Sequence, residues 1–266
     1  MSTYRHDIER NLGSLQFIKG IVYYPSVEST NTAAEELARG GSEEWTIVVA
    51  DSQNNGRGRQ GRSWHSPPGV NIYTSCLLRP AVSYEQLPAI SLLTGMVVAI
   101  AVEHFTGRDT ELKWPNDVLV GGKKISGILL ELGSDSRNRP SLVAGIGINI
   151  NSNVEAYPEE LSVSATSMKV LTDTIFDRAG ILAFLYRVLH EWYTVYCDRG
   201  GFNSIREHYM QRFMMIGRYV HIVNGAETVA GFVKDIDAYG GLVLKSTHDE
   251  IIHIKSGDVH VVPGGE

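Results

Sequence analysis

With 266 residues and a net charge of −6, the chain has room for one large domain and a small one, and its acidity makes it a poor constitutive nucleic-acid binder. It has no run of eighteen apolar residues and a charged start at Met1–Arg10, which argues against a membrane span or a secretion signal. Its two cysteines, Cys76 and Cys197, lie far apart and in no ligand spacing, which excludes a disulfide framework and fits a reducing, cytoplasmic setting.

In chain order, Tyr4–Leu12 predicts a short polar helix and Ile18–Tyr24 a strand. Ala33–Arg39 predicts a helix, with Thr32 and Glu35 as its capping box and Gly40-Gly41 as its stop. Thr46–Ala50 and Asn71–Leu78 predict buried strands. Gln86–Phe105 predicts a long apolar helix, with His104 a helix-end residue without a chemical role. Val118–Val120 and Lys123–Leu132 predict a hairpin around Gly121-Gly122, followed by a strand at Leu142–Asn149. Val154–Ser167 reads as irregular, Arg178–Tyr196 as an amphipathic helix and Ser204–Phe213 as a short one. The character then changes. From Gly217 onward, short strands follow one another closely, with an Asn224-Gly225 turn between the first two. The expected division is therefore a large domain over 1–215 and a small barrel over 216–266.

One stretch, Gln53–Trp64, fits none of these elements. Arg57, Arg59 and Arg62 alternate with Gly56, Gly58 and Gly61, a composition that no core helix or strand carries. Glycines admit a ligand close to the backbone, and arginine forks suit carboxylate and phosphate. The letters also match the dinucleotide fingerprint, and nearly a P-loop. Both of those need a helix to begin at the glycines, and Pro67-Pro68-Gly69 blocks one. An anion-gripping loop remains, against the plainer alternative of a solvated basic surface loop.

Other polar segments sit at the ends of apolar strands: Ser29–Asn31, Lys113–Asp117 and Lys123–Gly127. Gly145-Ile146-Gly147-Ile148-Asn149 is a strand interrupted by glycines, which marks a close approach of ligand or backbone. Taken singly, each has a structural explanation as a cap, a turn or a hairpin tip. The nine histidines show no zinc spacing, and no nucleophilic triad stands out. The inventory is equipment for holding an anion and a nucleotide with Mg2+ bridging, so that positioning and charge neutralisation do the chemistry.

Taken in order, Gly-Arg-Gly-Arg-x-Gly-Arg-x-Trp, Lys-Trp-Pro-Asn-Asp, Lys-Ile-Ser-Gly-Ile-Leu-x-Glu and Gly-x-Gly-Ile-Asn resemble the biotin–protein ligases, from about Val22 to the C-terminus. The resemblance implies an α+β fold: a class II synthetase/biotin ligase-like mixed sheet with helices, followed by a small SH3-like β-barrel. It implies an enzyme that joins biotin to AMP from ATP and passes the biotin to a lysine of a biotin carboxyl carrier protein. By motif, it places Ser29, Thr30, Asn31, Gln53, Gly56, Arg57, Gly58, Lys124, Gly127 and Gly145 at biotin. Arg59, Arg62, Trp64, Lys113, Asn116, Asp117 and Asn149 fall at ATP, with Asp117 facing Mg2+. Lys124, Arg57 and Arg59 are the catalytic set. Some members carry an N-terminal helix-turn-helix. Only about twenty residues precede the first strand here, so the expectation is the ligase-only type, without DNA as a partner and compatible with a homodimer. The competing readings are a lipoate or octanoate ligase or transferase on a related fold, and a nucleic-acid-binding module built on the arginine loop.

Overall fold

The computed structural model describes residues 3–135, 139–225 and 227–262. Seven strands form the first sheet: β1 (Gly20–Tyr24), β2 (Thr46–Ala50), β3 (Ile72–Leu78), β4 (Glu111–Lys113), β5 (Asp117–Val120), β6 (Lys123–Ser134) and β7 (Pro140–Ile148). Their order is β1-β2-β3-β7-β6-β5-β4, with β1–β2 parallel and the other pairs antiparallel. The mixed sheet expected from the sequence is therefore present. β2 and β3 are buried at every position because both of their faces are covered.

Among the described residues, seven α-helices accompany the sheet: α1 (Thr3–Gly13), α2 (Thr30–Arg39), α3 (Ile90–Thr106), α4 (Glu159–Ser162), α5 (Met168–Thr172), α6 (Arg178–Asp198) and α7 (Arg206–Met210). Strand alternation decides what each helix meets. Ile47 and Val49 of β2 face the main core shared with α1, α3 and α6, whereas Val48, Leu77 and Val143 face α2 through Ala33, Ala34 and Ala38. Tyr84–Thr106, a 3-10 turn running into α3, is by length and composition long and apolar enough to cross a membrane, and here it is mostly buried inside the protein. Pro88 explains why regular α-helix begins only at Ile90 rather than at the expected Gln86. His104 closes α3 by stacking on Phe184, as expected of a helix-end residue.

Two local expectations are corrected. The Thr32–Glu35 capping box does not form, because α2 begins three residues earlier, with Ser29 as its N-cap. Val154–Ser167 is not wholly irregular: it contains a 3-10 turn at Val154–Ala156 and the one-turn helix α4, and α5 follows.

The second sheet comprises β8 (Tyr219–Asn224), β9 (Glu227–Ile236), β10 (Leu242–Lys245), β11 (Ile251–Ile254) and β12 (Asp258–Val261), in the order β11-β10-β9-β8-β12 and antiparallel throughout. The expected short strands are all present, and among the described residues no ladder joins β11 to β12. This sheet docks on the first. Trp114 Nε1, in the turn after β4, donates to Gly240 O at 2.9 Å, and Arg206 of α7 is paired with Asp235.

Candidate functional site

The site opens on the α2 side of the first sheet, where two neighbouring strands lose their side chains together. Gly127 of β6 is paired in register with Gly147 of β7, and Gly145 lies opposite Leu129 of β6 and Ser75 of β3. Residues two apart on a strand share a face, so these small residues form one recessed floor. Tight neighbours fill the space that side chains would take. A Cβ on Gly145 would lie 2.0 Å from Asn31 Oδ1, and one on Gly147 would lie 2.5 Å from the Trp64 indole. The cavity over this floor is about 290 Å³.

At one end, the start of α2 meets β2 and the loop that follows it. Ser29 caps the helix without a side-chain capping bond, so its hydroxyl stays on the cavity wall. The buried N–H at the helix start, which has no acceptor within the helix, is satisfied from a distance: Thr30 N donates to Gln53 Oε1 at 2.9 Å, and the Gln53 amide donates to Ser66 Oγ at 3.0 Å. Asn31 is buried and its amide is committed. It donates to Glu131 Oε2 at 2.7 Å and to Leu129 O at 3.2 Å, and it accepts from Ser75 Oγ at 2.6 Å. Asn31 therefore sets the wall, with both of its N–H donors already taken.

The other end carries charge. Gly121 and Gly122 take positive φ values of 57° and 73°, which the tight turn between β5 and β6 requires. A bulge in this hairpin leaves Lys124 opposite Leu119, and Lys124 Nζ lies 2.6 Å from Asp117 Oδ1. Lys124 also sits 5.4 Å from the Trp64 ring centre. Its backbone pairs with the segment after α4, through Lys124 N to Ser164 O at 2.8 Å and Thr166 N to Lys124 O at 2.9 Å. Asn116 donates to Ile128 O at 2.8 Å, and Asn149 donates to Thr166 O at 3.0 Å. Lys113 lines the same end without an ion-pair partner among the described residues.

The arginine loop crosses above. It makes one 3-10 turn at Arg59–Gly61 and then runs extended, so no phosphate-binding helix starts there. Arg57 pairs with Glu131 at 2.8 Å, while Arg59 and Arg62 both reach Asp258 of β12. Burial pulls the Arg59 guanidinium below its ordinary value, and the Asp258 carboxylate opposes that pull.

Sixteen of the expected residues therefore line one cavity: Ser29, Thr30, Asn31, Gln53, Arg57, Gly58, Arg59, Arg62, Trp64, Lys113, Asn116, Asp117, Lys124, Gly127, Gly145 and Asn149. Gly56 does not. It lies on the outer side of the loop, where a Cβ would stand 2.5 Å from Trp64 O and 2.8 Å from Ser66 Oγ, so it serves the close packing of the loop on itself. Sequence reasoning missed Tyr157, Leu161 and Ala165 on one rim and Asp258, Val259 and His260 on another. The first group lay in a stretch without periodicity, and the second in a distant small sheet whose docking no local pattern announces.

The single carboxylate beside Lys124 fits a divalent cation that arrives on a nucleotide's phosphates. Among the described residues, no cluster of three His, Cys, Asp or Glu side chains exists to cage one.

Residues 23–151 match the model of the biotin/lipoate A/B protein ligase family, and residues 215–262 match that of the biotin protein ligase C-terminal domain. The chain is 35% identical to the bifunctional ligase/repressor BirA of Bacillus spizizenii over 91% of this chain and 74% of that one. It is 31% identical to the biotin–[acetyl-CoA-carboxylase] ligase of Mycobacterium tuberculosis, over 87% and 86% of the two chains. It also matches the biotin protein ligase of Aquifex aeolicus solved in complex with biotin and ATP. There the TM-score is 0.79 at 31% identity, covering 92% of this chain and 99% of that one.

Proposed function

Since the chain belongs to the biotin protein ligase family, we propose that its cavity holds biotin and ATP end to end, with Lys124 at their junction. The protein is an ATP-dependent ligase that activates biotin to biotinyl-5'-AMP, releasing pyrophosphate, and then transfers the biotin to protein. In the first step a biotin carboxylate oxygen attacks the α-phosphorus and pyrophosphate leaves. In the second, a lysine amine attacks the acyl carbon and AMP leaves.

The observation that carries the residue assignment is the glycine floor, which ends at a lysine. A flat bicyclic head and a thin acyl chain fit a slot whose floor is backbone. Ser29, Thr30 and Gln53 offer hydroxyl and amide groups to the ureido head at the closed end. Gly127 and Gly145 line the slot, and their missing side chains let Lys124, Trp64 and the Asn31 amide close in around the chain. Lys124 meets the carboxylate and the α-phosphate, two anions that repel until a cation sits between them. Arg57 and Arg59 close from above, with Gly58 allowing the backbone to approach. Arg62 and Lys113 extend the positive field along the phosphates, and Trp64 and Asn149 border the base. Asn116 holds the turn that presents Asp117. Mg2+ would enter with ATP, held by phosphate oxygens and Asp117, and would neutralise charge on the leaving pyrophosphate. A loop closed over the slot excludes the water that would hydrolyse the mixed anhydride.

The acceptor in this reading is a lysine of a biotin carboxyl carrier protein, and the setting is the cytoplasm. The small C-terminal unit over 216–266 would act as an SH3-like module docked on the catalytic unit 1–215. The test is transfer of labelled biotin to purified carrier domain. Labelling of the carrier lysine supports the reading, and biotinyl-AMP formation without any labelling of carrier refutes the acceptor.

A further inference from the structure

Arg59 and Arg62 lie near the phosphate end of the cavity, yet among the described residues no side chain of the first sheet forms a hydrogen bond or ion pair with them. Their partner comes from the second sheet, roughly two hundred residues later. Arg62 donates to Asp258 Oδ2, Arg59 Nη1 lies 3.8 Å from Asp258 Oδ1, and the same nitrogen donates to Gly257 O at 3.3 Å. Each carboxylate oxygen thus serves one guanidinium. Asp258 is mostly buried at the cavity rim, whereas Arg62 is largely exposed. Gly257 has φ 146°, and a Cβ there would lie 2.5 Å from Ile222 Cγ2, so this corner accepts no ordinary residue without strain. On the far side of the cavity the loop is tied again, through Arg57 to Glu131. The loop is therefore pinned at both ends by carboxylates from different sheets.

We propose that Asp258 is a positioning residue for adenylation, holding Arg59 and Arg62 where the nucleotide phosphates arrive. This rests on the adenylation reading given above. The charge count supports positioning over neutralisation. Two guanidiniums share one carboxylate, so a net positive charge still faces the cavity. Each fork has five N–H donors, and the contacts to Asp258 and Gly257 leave most of them free for phosphate oxygens. Asp258 thereby acts on the nucleotide through the two arginines.

The test compares wild type, Asp258→Asn, Asp258→Glu, Arg62→Ala and the Asp258→Asn/Arg62→Ala double variant. Asp249→Asn, in the turn between β10 and β11, controls for loss of a charge in the same sheet. In the free protein, the Gly58 and Arg62 amides, both hydrogen-bonded within the loop, are followed by hydrogen exchange. Asp258→Asn should exchange them about tenfold faster, as expected when a charge-assisted contact is lost. In pyrophosphate exchange, KM for ATP should rise about tenfold with KM for biotin within about twofold, and Asp258→Glu should recover part of the loss. In the Arg62→Ala background, the effect of Asp258→Asn on KM for ATP should shrink. Equal rises in both KM values that persist in that background would show a merely structural role and overturn the proposal, as would unchanged amide exchange. A wild type without biotin-dependent exchange would instead remove the adenylation reading, and the amide measurement would still decide whether Asp258 holds the loop.

Discussion

Lys124 Nζ stands 2.6 Å from Asp117 Oδ1 across the β5–β6 hairpin, while its neighbour Lys123 points into solvent. Alternation along the strand separates the two lysines, so one of them faces the cavity and the other does not. Removing one preorganised donor from a site of charge development lowers the rate by about 10²–10³. Lys124→Ala should therefore lose single-turnover formation of biotinyl-AMP by about that factor. Lys123→Ala should stay near wild type. Lys124→Arg should not rescue fully, because a broad fork does not replace a compact point charge. An equal defect in Lys123→Ala would assign the role to the wrong lysine.

The glycine floor makes a sharper demand. A methyl on Gly145 would overlap the Asn31 amide, which holds Ser75, Leu129 and Glu131 in place. Gly145→Ala should destabilise the fold by about 1–3 kcal/mol through overpacking and weaken biotin binding as well. Gly147→Ala should instead displace Trp64 and raise KM for ATP more than KM for biotin. Calorimetric titration with biotin and with ATP separates the two, and identical profiles for both variants would contradict the floor as described.

Closure of the arginine loop should be visible in exchange. Glycine entropy and the arginine cluster favour a loop that loosens without ligand. Residues 54–64 should gain protection when biotinyl-AMP binds. Gly56→Ser, whose side chain would press on Trp64 O, should let the activated intermediate escape faster. Unchanged protection on binding would count against closure.

The second sheet should be indispensable. Trp114 of the Lys-Trp-Pro-Asn-Asp segment donates to Gly240 O, and Asp258 enters the cavity rim. Deleting residues 217–266 should impair carrier biotinylation well beyond any loss of solubility. A truncated protein that folds and transfers biotin at the normal rate would show the sheet to be dispensable.

Stability on the acid side should report the join between α3 and the segment after α7. Burial alone would raise the Glu103 carboxyl, but bonds from Arg212 and Thr110 hold it below its ordinary value. A carboxyl depressed in the folded state contributes stability that is full above its unfolded value, about 4.3, and is lost as pH falls through the folded value. Wild type should thus lose melting temperature below about pH 4 more steeply than Glu103→Gln does. Parallel melting curves across that range would remove Glu103 from the account.

Much of this was legible in the sequence because the signals were local. Apolar runs marked β2 and β3, paired glycines marked the β5–β6 turn, and the four ordered motifs placed their residues around one cavity. What was not legible required partners distant in the chain. The start of α2 is satisfied by Gln53, twenty-three positions away, so local capping logic placed it at Thr32. Gly56 read as a ligand glycine because its neighbours are, and only the fold shows it packed on Trp64 O. Asp258 carried no motif, and its role arises from docking of one sheet on another.

The central claim is that this cavity activates biotin in particular. The family model matched by residues 23–151 spans biotin and lipoate ligases, so the deciding measurement is exchange of labelled pyrophosphate into ATP with each acid in turn. The account predicts exchange that depends on biotin and is absent with lipoate or octanoate. Equal exchange with lipoate or octanoate would contradict it.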